Sequence, residues 1–288
     1  MPGSSAGVGV VVVTYSPGPT LDTFLDTLDK ATTRPVGVVL ADNGSTDGAP
    51  ERAAERPGVE LVRTGRNLGY GRAANVGVLQ APGDWVVVAN PDLRWEPGAL
   101  DTMLDAVERW PRAGVLGPAI MSPDGTLYPS ARALPSLGRG IGHAVAGWWW
   151  PGNPWSRSYR QERGGPTEGP AGWLSGSCLL LRREAFDGVR GFDPAYFMYF
   201  EDLDLGERLG RAGWLNVYVP AAVVTHEGAH ATRHHRAEMV AAHHRSAYRY
   251  LSRRYPGWRY APLRLLLRAG LAARAALARA LPEVGRGT

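Results

Sequence analysis

The groups in this 288-residue chain best placed to do chemistry are carboxylates at the ends of apolar runs. Val86-Val87-Val88 leads into Asn90-Pro91-Asp92, so a run of β-branched residues delivers one carboxylate to a strand end. Metal-using nucleotide enzymes often set two aspartates there, one residue apart, to hold a divalent ion. Here the first is Asn90, which leaves one negative ligand fewer. A second apolar run, 36–41, ends in Asp42-Asn43-Gly44-Ser45-Thr46-Asp47-Gly48. Asp42 could accept the imide N–H of a pyrimidine, and Gly44 and Ser45 let backbone amides approach a ligand. The same residues are also ordinary turn chemistry, and that alternative stands.

Three further clusters follow. Asn67-Leu68-Gly69-Tyr70-Gly71-Arg72-Ala73-Ala74-Asn75 is a glycine-punctuated loop entering a helix, whose amides and Arg72 suit a diphosphate. It differs from the dinucleotide fingerprint because it follows the second βα unit and lacks the third glycine. Glu201-Asp202-Leu203-Asp204 comes after the aromatic run Tyr196-Phe197-Met198-Tyr199-Phe200. A carboxylate beside aromatics and another carboxylate has reason to hold a raised pKa, as a general base requires. Simple stabilisation of a helix dipole is the competing explanation. Asp204 and Arg208, four apart, can pair on that helix. Finally, His226 closes an apolar run in "VVTHEGAH" and could help Asp92 hold a divalent ion. His226 and His230 are four apart, but a strand precedes them and Gly228 lies between, which speaks against a zinc-protease helix. The other late histidines read as surface or phosphate-contacting groups.

The elements that position these groups alternate. Strands are expected at 8–14, 36–41, 60–62 and 85–89, with helices at 21–30, 51–55 and 70–79. Near-continuous apolar strands separated by helices predict an α/β fold with a parallel sheet covered on both faces. Ligands of such sheets sit beyond the carboxyl ends of the strands, where Thr14-Tyr15, Asp42 and Asp92 fall. Residues 121–170 are irregular and rich in Pro, Gly and Trp. A strand is expected at 173–181, a loop and helix within 193–213, a closing strand at 214–219, and helix from about Met239 onward.

Composition narrows the class. Apolar content of 44% and charged content of 20% describe a globular protein with a sizeable core. The single cysteine, Cys178, rules out an internal disulfide and fits a reducing compartment. The run 8–13 has no basic stretch before it and reads as a strand rather than a signal peptide. No segment reaches the roughly 18 uninterrupted apolar residues of a membrane span. Residues 233–288 hold 12 arginines against two acids, whereas the rest of the chain is net acidic. Such a tail is an adhesion surface for nucleic acid or anionic lipid, and it is expected to pack on the body.

Set in order, "VVVTYSPG", "ADNGSTDG", "NLGYGRAANVG", "VVVANPDL", "GWLSGSCLLLRREAF", "RGFDPAYFMYFEDLDLGERL" and "VVTHEGAH" resemble the family-2 inverting glycosyltransferases of the GT-A fold. The likeness spans about residues 8 to 230. It implies a Rossmann-like, mostly parallel sheet with helices on both faces, in a domain 1–232. Residues 1–120 would bind the nucleotide sugar and 121–232 the acceptor, with 233–288 a basic helical tail. Position by position, the resemblance assigns Thr14, Tyr15 and Asp42 to base and ribose. It sets Asn67, Gly71 and Asn75 along the nucleotide and diphosphate, with Asp92 and His226 at a divalent cation, Mn2+ or Mg2+. Trp173, Gly176 and Ser177 fall where the family shapes the acceptor site. Asp202 matches the general base, with Glu201 the alternative. Asn90 departs from the pattern and could bond the donor's ribose or sugar instead of a metal.

The segments "YPSAR", "NPW", "YRQER", "GWLSGSCLL" and "AAHHRS" are similar, more narrowly, to the actinobacterial rhamnosyltransferases of cell-wall linker synthesis. Those enzymes use dTDP-L-rhamnose as donor and an N-acetylglucosaminyl-diphospho-polyprenol as acceptor. This implies a protein at the cytoplasmic face of the cell membrane, with the tail on lipid rather than nucleic acid. Residues 257–281 set Arg264, Arg268 and Arg279 in one sector of a helix, and Trp148-Trp149-Trp150 could dip into the interface or line the acceptor groove. A family-2 transferase of another sugar and a non-catalytic basic binder are the competing classes. The binder predicts that alanine at Asp202 leaves function intact.

Overall fold

The computed structural model describes residues 7–135, 166–228 and 236–280. Its first half is the expected alternation: β1 (Val8–Thr14), α1 (Thr20–Ala31), β2 (Val36–Asp42), α2 (Ala49–Ala53), β3 (Val59–Arg63), α3 (Tyr70–Gln80) and β4 (Trp85–Ala89). The four strands are parallel and lie in the order β3-β2-β1-β4. Each strand sends alternate residues to opposite faces. Val10, Val12, Leu40 and Val87 therefore meet Phe24 of α1 on one side, while Val11, Val39, Val86 and Val88 meet Ala73, Ala74 and Val78 of α3 on the other. Full burial of each such side chain contributes about 1.5–3 kcal/mol, which is why these strands read as unbroken apolar runs. α3 lies tight on the sheet because Gly77 has no side chain: a Cβ there would stand 2.4 Å from Cγ1 of Val11.

The second half continues with β5 (Leu93–Trp95), α4 (Ala99–Arg109), β6 (Ala113–Met121), β7 (Leu127–Tyr128), β8 (Ala131–Arg132), β9 (Gly169–Ala171), β10 (Trp173–Leu174) and β11 (Cys178–Arg182). Then come α5 (Arg183–Gly188), α6 (Glu201–Arg211), β12 (Leu215–His226), α7 (Arg236–Arg254) and α8 (Ala261–Ala280). The full order is β3-β2-β1-β4-β11-β6-β12-β5, with β11 antiparallel to both neighbours and β12 parallel to β6. The sheet is thus mixed but mostly parallel, with helices on both faces.

Three expectations change. The strand expected at 173–181 is two: β10 pairs with β8 in a separate two-stranded sheet, and β11 enters the main one. Ser175-Gly176-Ser177 between them is a turn, and it faces the site. The closing strand expected at 214–219 runs on to His226, with a register shift between Val219 and Val223. β6 was not anticipated, since Gly114, Gly117 and Pro118 break its apolar run, yet its first eight residues are buried. The glycine at 117 leaves room for Leu174.

α7 packs on the outer side of α6. Tyr250 joins Trp173, Tyr196 and Leu203 in a small apolar cluster, and its hydroxyl donates to Oε2 of Glu207 at 2.6 Å. Arg249 and Arg253 pair with Asp193, and Arg254 with Glu207. Much of the charge in this part of the tail is therefore spent against acids of the body. α8 packs on α7. Residues 148–150 and 155 lie outside the described residues.

Candidate active site

The carboxyl ends of β1, β2, β4 and β12 open onto one rim. β11 runs the other way, so its first residue, Cys178, lies beside Ala89 of β4. That reversal brings Ser175-Gly176-Ser177 to the same rim, where the carbonyl of Ser177 accepts the N–H of Asn90 at 2.9 Å. Cys178 itself is buried in apolar surroundings, which raise its thiol pKa and keep it inert.

At one end of the rim, the Thr14 hydroxyl donates to Oδ1 of Asp42 at 3.0 Å, and the Ser45 N–H donates to the same oxygen at 3.1 Å. Thr14 and Asp42 are buried; Tyr15 is exposed. Gly44, at φ +101°, takes a backbone conformation that glycine adopts without strain. Oδ1 of Asn43 accepts the N–H of Leu68 at 2.7 Å, and its amide donates to Asn67, tying the Asp42 turn to the glycine loop.

The glycine loop does less for a ligand directly than its residue types suggest. Asn75 spends both ends of its amide on the backbone of Phe192, at 2.9 Å each. Nε of Arg72 donates to the carbonyl of Pro194. Gly71 lies where a Cβ would come within 2.9 Å of the Phe192 Cβ. Asn67 accepts from Gly69 N–H. Gly71, Arg72 and Asn75 clamp residues 192–194 onto α3, and that segment leads into the acidic pair.

Across from β2, Oδ1 of Asp92 and Nε2 of His226 are 3.0 Å apart, and the Asn90 amide nitrogen is 3.4 Å from the same ring nitrogen. The pairing of β12 with β5 makes this contact, because it sets His226 opposite Leu93, next to Asp92. A carboxylate oxygen and an imidazole nitrogen 3 Å apart have the spacing of adjacent ligands on an ion with bonds of about 2.1 Å. The donor set therefore suits a divalent cation but is small. Among the described residues no cluster of three or more His, Cys, Asp or Glu forms.

Glu201 and Asp202 begin α6, after Tyr199 and Phe200 in left-handed conformations at φ 67° and 68°. Oδ2 of Asp202 accepts the N–H of Gly176 at 2.9 Å, and Oδ1 that of Leu203 at 2.8 Å. Oε2 of Glu201 is buried with no partner among the described residues. Burial pushes both pKa values up. For Asp202 the two N–H bonds and the Arg132 charge oppose that rise; for Glu201 the Asp202 charge adds to it. Negative charge therefore settles on Asp202. Asp204 pairs with Arg208 at 2.6 Å, as expected.

Sequence reasoning overlooked the group at the centre. Tyr70 is half-buried, its hydroxyl donates to the carbonyl of Gly176 at 2.6 Å, and its phenol pKa is raised by loss of hydration and by the charges of Glu201, Asp202 and Asp92. Its position inside the glycine loop was the available signal. Trp173 is buried in the cluster behind α6 rather than open to a ligand. His243 packs its ring against Tyr199 and Phe200, and His230, His234 and His235 lie outside the described residues.

Glycosyl transferase family 2 matches residues 9–190, and a related family-2 model matches residues 155–249. The N-acetylglucosaminyl-diphospho-decaprenol L-rhamnosyltransferase of Mycobacterium tuberculosis is 58% identical over 280 residues, covering 93% of this chain and 91% of its own. Among solved structures, GalNAc-T7 with UDP, GalNAc and Mn2+ shares the fold at a TM-score of 0.58 and 16% identity, over 77% of this chain and 43% of that one. S. aureus TarS 1-349 does so at 0.55 and 16%, over 84% and 64%.

Proposed function

The chain belongs to glycosyl transferase family 2, and on that premise we propose that it moves L-rhamnose from dTDP-L-rhamnose to the 3-hydroxyl of an N-acetylglucosaminyl-diphospho-polyprenol. It is an inverting glycosyltransferase of GT-A type. One observation carries the chemical side of the reading: the turn Ser175-Gly176-Ser177 holds Asp202 by the Gly176 N–H and Asn90 by the Ser177 carbonyl, and Asn90 adjoins the pair of His226 and Asp92. The sugar and the acceptor rest on the near full-length likeness to the M. tuberculosis enzyme.

In this reading Asp42 receives the thymine imide N–H, its bonds from Thr14 and Ser45 both falling on Oδ1. Asp92 and His226 would hold a divalent cation, Mn2+ or Mg2+, whose charge offsets that on the departing diphosphate. Asn90 bonds the donor's ribose or sugar. Asp202 is the base: it takes the proton of the acceptor hydroxyl as that oxygen bonds to the anomeric carbon, and the bond to the diphosphate breaks on the opposite face. The N–H groups of Gly176 and Leu203 hold both oxygens of Asp202, so it is oriented before the acceptor arrives. Glu201, kept neutral, adds no second charge.

An acceptor on a lipid puts the enzyme at a membrane surface. Among the described residues no helix is long and apolar enough to cross one. Contact would instead be peripheral, at the cytoplasmic face, through Trp258, Leu265 and Leu266, which are exposed on and before α8. The test of the whole reading is transfer over a panel of nucleotide sugars, with thermal stabilisation by dTDP and UDP measured alongside, each with and without Mn2+. Preference for dTDP-L-rhamnose is the expected result. Turnover of a different donor would remove the rhamnose assignment, and the absence of any nucleotide effect would falsify the enzyme reading.

A further inference from the structure

The segment Tyr128-Pro129-Ser130-Ala131-Arg132 takes no part in the donor site or the metal pair, yet it is anchored as if position mattered. The Ser130 hydroxyl donates to the carbonyl of Pro118 at 3.0 Å, and the Ser130 carbonyl accepts the N–H of Ser175 at 2.8 Å. Arg132 on β8 sits opposite Trp173 on β10, and β10 runs directly into the turn whose Gly176 N–H holds Asp202. The guanidinium and the catalytic carboxylate thus hang from the same short span of backbone.

The Arg132 side chain is fixed, and among the described residues no carboxylate pairs with it. Its guanidinium carbon lies 5.3 Å from the centre of the Tyr128 ring and 5.4 Å from that of Trp173. Nε donates to the carbonyl of Pro129 at 2.8 Å and one terminal nitrogen to the Tyr128 hydroxyl at 3.0 Å. Among the described residues a carbonyl, a phenol and two rings hold it, none of them charged. The arginines of α6 and α7 that touch the body differ: Arg208, Arg249, Arg253 and Arg254 each meet a carboxylate. Arg132 is also the cation whose field reaches Asp202. A pre-organised guanidinium with no carboxylate partner among the described residues is suited to bind an anionic group two-pronged.

We infer that Arg132 is the anchor for the acceptor's diphosphate. The inference rests on the reading of the acceptor given above. Asp202 must touch the acceptor hydroxyl, and the diphosphate leaves the same sugar ring from its anomeric carbon, one ring away. Arg132 lies on the strand paired with β10, which leads into the turn that holds Asp202. Leu127 and Tyr128, exposed on β7 just before β8, extend it with apolar surface for the first part of the lipid chain.

The test compares two acceptors, a short-chain prenyl-diphospho-N-acetylglucosamine and a neutral alkyl N-acetylglucosaminide, with wild type, Arg132→Lys and Arg132→Gln. The wild type is expected to favour the diphosphate acceptor. In Arg132→Gln the ratio of kcat/KM for charged over neutral acceptor should fall about 10- to 100-fold, as loss of a charged hydrogen bond implies. Arg132→Lys should recover part of that ratio. An unchanged ratio, with both acceptors losing equally, would show that Arg132 only supports the fold and would overturn the inference. If the wild type uses neither acceptor, the acceptor reading fails by itself. The anchor is then judged by the affinity of farnesyl diphosphate under saturating dTDP, measured by calorimetry. Weaker binding to Arg132→Gln sustains the anchor, and equal binding removes it.

Discussion

Glu201 and Asp202 are adjacent, the first buried and the second half-buried, and they differ in what their oxygens touch. Asp202 has two backbone N–H groups and the field of Arg132; Glu201 has an Oε2 without a partner among the described residues. A carboxyl whose folded pKa is raised binds a proton that the unfolded chain has released. The stability it contributes is therefore present at low pH and is lost as pH rises through the folded value, starting from an unfolded value of about 4.3. Glu201→Gln removes that loss. Its urea midpoint should gain on the wild type steadily as pH is raised from about 4 to 9, and a gap that stays constant with pH would contradict a protonated Glu201. Asp92 and Asn90 divide in another way. Asp92 carries the only negative charge of its pair with His226, whereas Asn90 offers an amide. Asp92→Ala should abolish transfer. Asn90→Ala should keep measurable kcat with a raised KM for the donor, and equal, mild losses from both would refute this division.

At the scale of elements, the position of the base depends on what grips α6. The 192–200 segment is pinned in front by α3, where Tyr70 N–H donates to the carbonyl of Phe197, and behind by α7, where the Ser246 hydroxyl donates to the carbonyl of Met198. Tyr250 closes the back by donating to Glu207. Tyr250→Phe removes a hydrogen bond to a buried charge and should cost about 1.5–3 kcal/mol in denaturant unfolding. If α7 held α6 only loosely, the cost would be near zero. Much of this arrangement was legible in the residues. Three near-continuous apolar runs gave β1, β2 and β4, and their ends gave Thr14, Asp42 and Asp92. β6 was not legible, because a strand at the centre of a mixed sheet can tolerate Gly114, Gly117 and Pro118 only where neighbours such as Leu174 fill the space. The partnership of Asp92 with His226 was legible as chemistry but not as geometry, since it depends on β12 running past its register shift to pair with β5. Asn75 and Arg72 misled for the opposite reason: their types suit a phosphate, but the backbone of residues 192–194 takes their bonds.

The whole molecule separates its positive charge into two kinds. On α7 the arginines facing the body meet Asp193, Asp204 and Glu207, so they buttress the catalytic helix and are not available to a lipid headgroup. Past Gly257 the character changes. Trp258, Leu265 and Leu266 are more than 60% exposed, and Arg259 and Arg268 lie among them in sequence. Arg264 is partly committed, since it donates to the carbonyls of Tyr255 and Gly257 and fixes the corner between α7 and α8. Exposed apolar side chains interspersed with arginine fit an interfacial helix, in which burial supplies affinity and each cation near an anionic surface adds about 1 kcal/mol. The expected outcome is co-sedimentation with vesicles containing anionic lipid, weakening as salt is raised from about 0.1 to 1 M and the screening length shrinks from about 10 to 3 Å. Trp258→Ser combined with Leu265→Glu and Leu266→Glu should abolish that binding and leave transfer to a water-soluble acceptor intact, because none of the three touches α6. Equal binding to neutral vesicles would leave hydrophobic contact standing and remove the electrostatic half of the argument. No binding at all would mean that the acceptor's lipid, rather than the tail, brings enzyme and membrane together.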